Sequence, residues 1–256
     1  MNKIKILAAD TSGVQAGAAI IEIPGACENS SYITVGEITL NARTGENSWT
    51  HSEILMPGIA QLFKLTRLQP SDINYIAYTN GPGSFTGLRI GAASALGIAH
   101  ALNIPAIPVP TLDALAYNVL GVAGSGIVVP MLDARRGQVY TAVYSRNQSG
   151  FMQKITDFLA LPVEIFLDEF LQNQEPVLFL GDGADANAEL ILEKIPHAVF
   201  APANNNRQRA ASVAVCAAEK IKSGCSFPGE VELLYIRAPQ AVRQAAEKAA
   251  ATGAVT

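Results

Sequence analysis

The first forty residues carry three short apolar runs, Ile4 to Ala8, Gly17 to Glu22 and Tyr32 to Leu40, the last rich in β-branched side chains. Such runs, set between turn-forming residues, predict strands. From Ser52 the pattern changes. Leu55, Ile59, Leu62, Phe63 and Leu65 recur at helical spacing, which predicts an amphipathic helix to about Gln69, with Pro70 beyond its end. Ile73 to Tyr78 then reads as a strand, and TNGPGSFTGLRIGAASALGIAHAL (Thr79 to Leu102) as a glycine-rich turn running into a helix. Pro105 to Val109 predicts a strand and Thr111 to Leu120 a helix. The order is βββαβαβα.

The middle of the chain repeats the start. VVPMLDARRGQVYTAVYS, Val128 to Ser145, has the layout of ILAADTSGVQAGAAIIE, Ile6 to Glu22: a buried strand, an Asp at its end, a glycine-bearing turn and a return strand. Beyond it, VLFLGDGADANAELILEKI gives a strand, a glycine turn and a helix, and APANNNRQRAASVAVCAAEKI a polar loop entering an apolar-faced helix. The expectation is an α/β chain of two lobes, residues 1–122 and 123–245, the second poorer in helices. The glycines of VLGVAGSG mark the boundary, and the tail 246–256 is expected to pack on nothing and fray.

The glycine turn invites comparison with phosphate loops. A Walker loop ends in Gly-Lys-Ser/Thr, whose lysine meets the phosphates, and no lysine stands here. The dinucleotide pattern G-x-G-x-x-G is missed by one position, because Thr86 stands three residues after Gly83 and Gly87 comes next. A helix N-terminus can still attract an anion. The favoured reading is a tight strand-to-helix turn with Ser84 as N-cap, phosphate contact being secondary. In the helix behind it, Gly87, Gly91, Ala95 (or Ser94) and Ile98 form a strip of little bulk beside Leu88, Ala92, Ala99 and Leu102. Mid-helix glycines cost about 1 kcal/mol each relative to alanine unless something packs on them. Either an element of the same fold lies against this strip or another chain does.

Composition narrows the classes. The 256 residues are 49% hydrophobic with a net charge of -4, enough apolar material for a large core, and the arginines are scattered without a basic stripe, so direct nucleic-acid binding by this chain alone is not expected. Three cysteines, Cys27, Cys216 and Cys225, fit neither a disulfide framework nor a zinc knuckle; a reducing cytoplasm suits them. Asp10 ends the N-terminal apolar run short of signal-peptide length. Even Gly87 to Leu102 carries Arg89, Ser94 and His100, so no membrane span is expected.

Four segments in this order, ILAADTS, HSEILMPGIAQLF, YTNGPGSFTGLRIGAASALGIAHAL and IPVPTLDALA, closely resemble the bacterial TsaB (YeaZ) family, with GPGSFTGLR the most distinctive string. After about residue 140 the resemblance is looser and rests on LDARRGQVY, GDGADAN and YIRAP. It implies a duplicated ribonuclease H-like fold of the actin, sugar-kinase and Hsp70 type. It also implies a part in making N6-threonylcarbamoyladenosine beside the anticodon of tRNAs, as partner of a catalytic paralogue, TsaD, joined by the ATPase TsaE.

Could this chain be the catalyst? The paralogue binds a metal with two histidines four apart on a helix; here His51 is followed by Leu55, and one histidine is not a metal site. In actin-like ATPases an Asp ends the first strand of each half, and Asp10 and Asp133 stand there. Asp10-Thr11-Ser12-Gly13 departs from the Asp-x-Gly-Thr/Ser pattern, and the arginines Arg135 and Arg136 are expected to intrude on the second phosphate turn. Gly181 and Gly183 resemble the adenosine-side turn. Asp10 and Asp133 would instead bond N–H groups of their own hairpins. Asp10, Thr11, Ser12, Asp133, Gly181 and Gly183 are therefore expected to form a degenerate nucleotide cleft, with ATP held weakly or at a partner interface, no stably bound cofactor, no metal and no catalytic residue.

The expected role is a non-catalytic scaffold that binds the paralogue, pairs with itself when alone and meets tRNA through the complex. The interface expected from the resemblance uses Leu55, Ile59, Leu62 and Phe63 of the first helix and Phe85, Leu88, Gly91, Ala95 and Ile98 of the second. The alternatives are an ATP-dependent phosphoryl or carbamoyl transferase acting through Asp10 and Asp133, and a metal-dependent peptidase.

Overall fold

The computed structural model describes residues 3–23, 32–41, 49–120, 126–146, 152–171, 176–227 and 232–236. The boundary glycines at 121 and 124 and the tail 246–256 lie outside the described residues. Strands β1 (Ile4–Asp10), β2 (Gln15–Ile23) and β3 (Ile33–Asn41) lead into helix α1 (His51–Thr66); then come β4 (Tyr75–Gly81), α2 (Phe85–Leu102), β5 (Ala106–Pro110) and α3 (Thr111–Ala116). This is the order that the apolar pattern predicts.

The sheet runs β3-β2-β1-β4-β5. β1 is antiparallel to β2, with Asp10 opposite Gly17, and parallel to β4, with Ile6 opposite Tyr75. Side chains on a strand alternate between faces. Leu7 and Ala9 thus pack under α1 and α2 with Ile20, Ile76 and Tyr78, while Ile6 and Ala8 face the opposite side. Thr50 caps α1 through a reciprocal capping box with Glu53, satisfying two N–H groups left open at the helix start.

The second half is built the same way. Strands β6 (Gly126–Asp133), β7 (Gln138–Thr141), β8 (Tyr144–Arg146), β9 (Met152–Lys154) and β10 (Leu159–Pro162) precede α4 (Val163–Phe170), β11 (Val177–Leu180), α5 (Asp182–Ala186), α6 (Ala188–Lys194) and β12 (Val199–Phe200). The main path of the sheet is β10-β7-β6-β11-β12, with β8 and β9 as additions. β6 is antiparallel to β7 and parallel to β11, as β1 is to β2 and β4. The repeated hairpin in the sequence is therefore the seed of a duplicated sheet.

Chain order does not divide the lobes, which corrects the expected boundaries. Helix α7 (Ala210–Lys222) returns to the first sheet and covers its second face, where Val213, Ala214 and Ala217 meet Ile6, Ile21 and Ile107. Glu37 of β3 pins its start, accepting the Ala211 N–H at 3.0 Å and pairing with Arg209, a carboxylate at the positive end of a helix. Between the lobes, Leu112 and Leu115 of α3 pack with Val128, Leu132 and Leu180 of the second sheet.

Candidate functional site

Two turns meet at the carboxyl ends of β1 and β4. Asp10 is 3% exposed, and its Oδ1 accepts the Ser12 N–H at 2.8 Å, the Ser12 hydroxyl at 2.7 Å and the Thr79 hydroxyl at 3.2 Å. Its Oδ2 is buried without a hydrogen-bond partner among the described residues, as is Oδ1 of Asn80. Burial pushes the Asp10 carboxyl above its usual range, against the opposing pull of the Ser12 and Thr79 hydrogen bonds and of His51. His51 ties the start of α1 to this turn, its Nε2 lying 2.9 Å from the Gly13 carbonyl oxygen.

The glycine turn docks directly on the first. The Ser84 N–H donates to the Ser12 carbonyl at 2.7 Å, and the Thr11 hydroxyl donates to the Gly87 carbonyl at 2.7 Å. Ser84 caps α2 by accepting the Gly87 N–H at 3.2 Å. A methyl group at Gly83 would stand 2.3 Å from the Ser12 carbonyl oxygen, and one at Gly87 2.0 Å from that of Thr11. These distances are well inside van der Waals contact. The glycines let two stretches of backbone touch.

In the second lobe Asp133 accepts the Arg135 N–H at 2.8 Å, and its own N–H donates to Asp182 Oδ1 at 3.1 Å. Arg135 and Arg136 take φ of 64° and 58°, and the hairpin closes with Ala134 N–H on the Gln138 carbonyl at 3.0 Å. The Arg135 side chain is 85% exposed, with its Nε 3.8 Å from Asp133 Oδ2, and backbone hydrogen bonds tighten this turn. Gly181 and Gly183 seat α5 against β6, because added methyl groups would lie 2.1 Å from the Met131 oxygen and 2.8 Å from the Leu132 carbonyl carbon. Asp133 and Asp182 add negative charge to the same place.

Asn206 is a joint that sequence reasoning misses. Its Oδ1 accepts the Gly181 N–H at 2.7 Å and its Nδ2 donates to Asp185 at 2.8 Å, while Arg207 pairs with Asp185 at 2.7 Å. The only signal is the run of asparagines Asn204 to Asn206 ahead of a helix.

The residues expected to face a partner divide differently. Leu55, Ile59, Leu62, Leu88 and Ala95 are buried in the first lobe's own core, and Phe63 and Ile98 are half-buried against it. Gly91 is buried too, and a methyl group there would stand 2.3 Å from Thr11 Oγ1. The expected small strip thus faces inward because Thr11 lies on it. Of that set only Phe85 is exposed. The outward face of α2 carries a second row of small residues, Ala93, Gly97 and Ala101, and a methyl group at Gly97 meets nothing within 4 Å. On α1 the exposed apolar residues are Met56, Ala60 and Leu65.

A further cluster stands at the start of α2. The Arg89 guanidinium lies 3.8 Å from the centre of the Phe85 ring and donates to the Tyr235 hydroxyl at 3.2 Å. Tyr235 belongs to a segment that the Leu234 N–H anchors to the Asn80 carbonyl at 2.7 Å. Helix α2 is long and apolar enough to cross a membrane by length and composition, but its inner face is packed on the sheet. Among the described residues no group of three or more His, Cys, Asp or Glu could hold a metal ion.

A family model described as "TsaD: tRNA N6-adenosine threonylcarbamoyltransferase" matches residues 45–251. The chain is 32% identical over 186 residues to the tRNA threonylcarbamoyladenosine biosynthesis protein TsaB of Bacillus subtilis, covering 73% of this chain and 74% of that protein. With the TsaB protein of Escherichia coli it shares 32% over 171 residues, 67% and 74% of the two chains. A solved structure of YeaZ from Pseudomonas aeruginosa superimposes with a TM-score of 0.68 at 22% identity, covering 91% of this chain and all of that one. The duplicated sheets make this a two-lobed protein of the actin-like ATPase fold. Within that class the chain belongs to the TsaB, or YeaZ, family.

Proposed function

We propose that this chain serves the biosynthesis of threonylcarbamoyladenosine on tRNA as a non-catalytic subunit, docking its catalytic paralogue, a TsaD-type protein, with the outward face of α1 and α2. The observation that carries this reading is the row Ala93, Gly97 and Ala101. A mid-helix glycine with nothing against it costs helix stability, and an incoming helix packed on that row gives the cost a use. Met56 and Ala60 of α1 continue the apolar surface. Without the paralogue, the same face pairs with a second copy of the chain. A TsaE-type ATPase joins the complex, tRNA is met through it, and the work takes place in the cytoplasm.

The closed turns around Asp10 and Asp133 support the non-catalytic part of this reading. Any ATP contact is made weakly or with groups that the partner supplies. Gly97→Leu tests the docking face. Its side chain enters open space in the single chain, so the melting temperature, read in dilute solution below self-pairing, does not fall, while overpacking the contact costs about 1–3 kcal/mol, a loss of roughly five- to 150-fold in affinity for the paralogue. Unchanged affinity moves the interface elsewhere. ATP hydrolysis by the purified chain alone, abolished by Asp10→Ala, sinks the non-catalytic reading and favours the transferase.

A further inference from the structure

We propose that a cavity between the two lobes binds a small zwitterion of the amino-acid type with an apolar side chain. The cavity holds about 330 Å³ and shares no lining residue with the turns around Asp10 and Asp133. It lies where α3 and α7 of the first lobe face β8 and β9 of the second, among Asp113, Tyr117, Tyr144, Lys154, Cys216 and Lys220. Its volume falls at the small end of the range of about 300–1,000 Å³ common for ligand sites.

Asp113 is the polar anchor. Its Oδ1 accepts the phenol of Tyr144, a residue 2% exposed, at 2.6 Å. No described residue donates a hydrogen bond to its Oδ2. Burial raises the Asp113 carboxyl above its usual range, with the Tyr144 hydrogen bond and the charges of Lys154 and Lys220 pulling the other way. A half-buried carboxylate with one oxygen unspent favours a cation in contact.

The remaining groups at the rim set the other end of the ligand. Lys220 donates to the Pro108 carbonyl at 2.8 Å, which leaves two of its three protons, and Lys154 lies over the Phe158 ring at 3.8 Å. Neither lysine forms an ion pair with a described residue, so both ammonium groups are open to an anion. Glu219, the second acid of the cavity, is already engaged by the Tyr32 hydroxyl and lies 3.5 Å from Lys222. The open charges are therefore one carboxylate oxygen and two ammonium groups, complementary to a ligand with an ammonium at one end and a carboxylate at the other. Tyr117, Met152 and Cys216 supply apolar wall; burial pushes the Cys216 thiol up to about 12, so it stays neutral and suits an aliphatic side chain.

Calorimetry on the full chain tests this with L-leucine, isoamylamine, which lacks the carboxylate, and isocaproate, which lacks the ammonium. The expected result is saturable leucine binding at one site, with each analogue weaker by about tenfold or more. Asp113→Asn keeps the oxygen that accepts from Tyr144, and Lys154→Met alters an exposed side chain; each should weaken leucine binding while circular dichroism remains that of the native chain. If Asp113→Asn loses the fold, the double change Lys154→Met with Lys220→Met carries the test. No saturable leucine binding overturns the proposal. So do equal binding of all three probes and leucine affinity indifferent to the substitutions.

Discussion

Alanine placed in turn at Gly87, Gly91 and Gly97 of α2 asks the same helix three different questions. In a solvated helix interior each change would add about 1 kcal/mol of stability. At Gly97 nothing lies within 4 Å of the new methyl group, so that gain should appear in full, raising the melting temperature by about 2–4 °C for a chain of this size. At Gly91 the methyl group would stand 2.3 Å from Thr11 Oγ1, which now donates to the Gly87 carbonyl at 2.7 Å. Thr11 must turn away, giving up about 1 kcal/mol of hydrogen bond and adding about 1–3 kcal/mol of overpacking. The net effect is a loss of about 1–3 kcal/mol. At Gly87 the obstacle is the Thr11 backbone oxygen at 2.0 Å, which no rotamer change relieves, so the loss should be the largest. Urea unfolding of the three variants, compared at a common m-value, checks the order. Stabilisation of Gly91→Ala equal to that of Gly97→Ala would refute the inward placement of the strip.

Asp10→Asn should gain stability relative to the wild type as pH rises, since it removes the negative charge that a buried carboxylate with a partnerless Oδ2 takes on there. The folded-state pKa is raised, so the folded state holds the proton more tightly and wild-type stability falls as pH rises above the ordinary carboxylate range; the advantage of the variant should vanish below about pH 4, and an advantage unchanged in acid would contradict this. Asn206→Ala leaves the Gly181 N–H without its partner and takes one of two partners from Asp185, which keeps Arg207; it should cost about 1–3 kcal/mol, read as a fall in melting temperature. Gly81→Ala adds a methyl group 2.2 Å from the Leu234 oxygen at a φ of 124°; it should release the segment 232–236, read as faster proteolysis there, and an unchanged cleavage pattern would count against the anchoring role of Gly81.

The order of elements in the first lobe was legible because each carries its own local signal: short apolar runs for β1 to β3, helical spacing from Leu55 to Leu65, glycines at the turn. The duplicated hairpin was legible too, since Asp10 and Asp133 end similar strands. The inner face of α2 was not. Gly87, Gly91 and Ala95 form one row of small residues and Ala93, Gly97 and Ala101 another, and periodicity has no means of choosing between them. Thr11, some eighty residues earlier in the chain, makes the choice through its contact with Gly91. The return of α7 to the first sheet was hidden for a related reason: an amphipathic helix announces that it has an apolar face without naming the surface it covers. Asn206 carried even less signal, because an asparagine in a polar loop looks the same whether or not its amide closes a buried joint.

The crossing of α7 gives the protein a schedule of manufacture. Ile6, Ile21 and Ile107 leave the ribosome long before Val213 and Ala217, which cover them. At about 5–20 residues per second, the roughly one hundred residues between α3 and the end of α7 correspond to a wait of about 5–20 s. Throughout that interval the nascent first lobe presents one side of its sheet bare. A release at any stop codon before α7 yields a chain with an adhesive surface, so aggregation or chaperone capture of such fragments is the cost of letting the last helix close the first half.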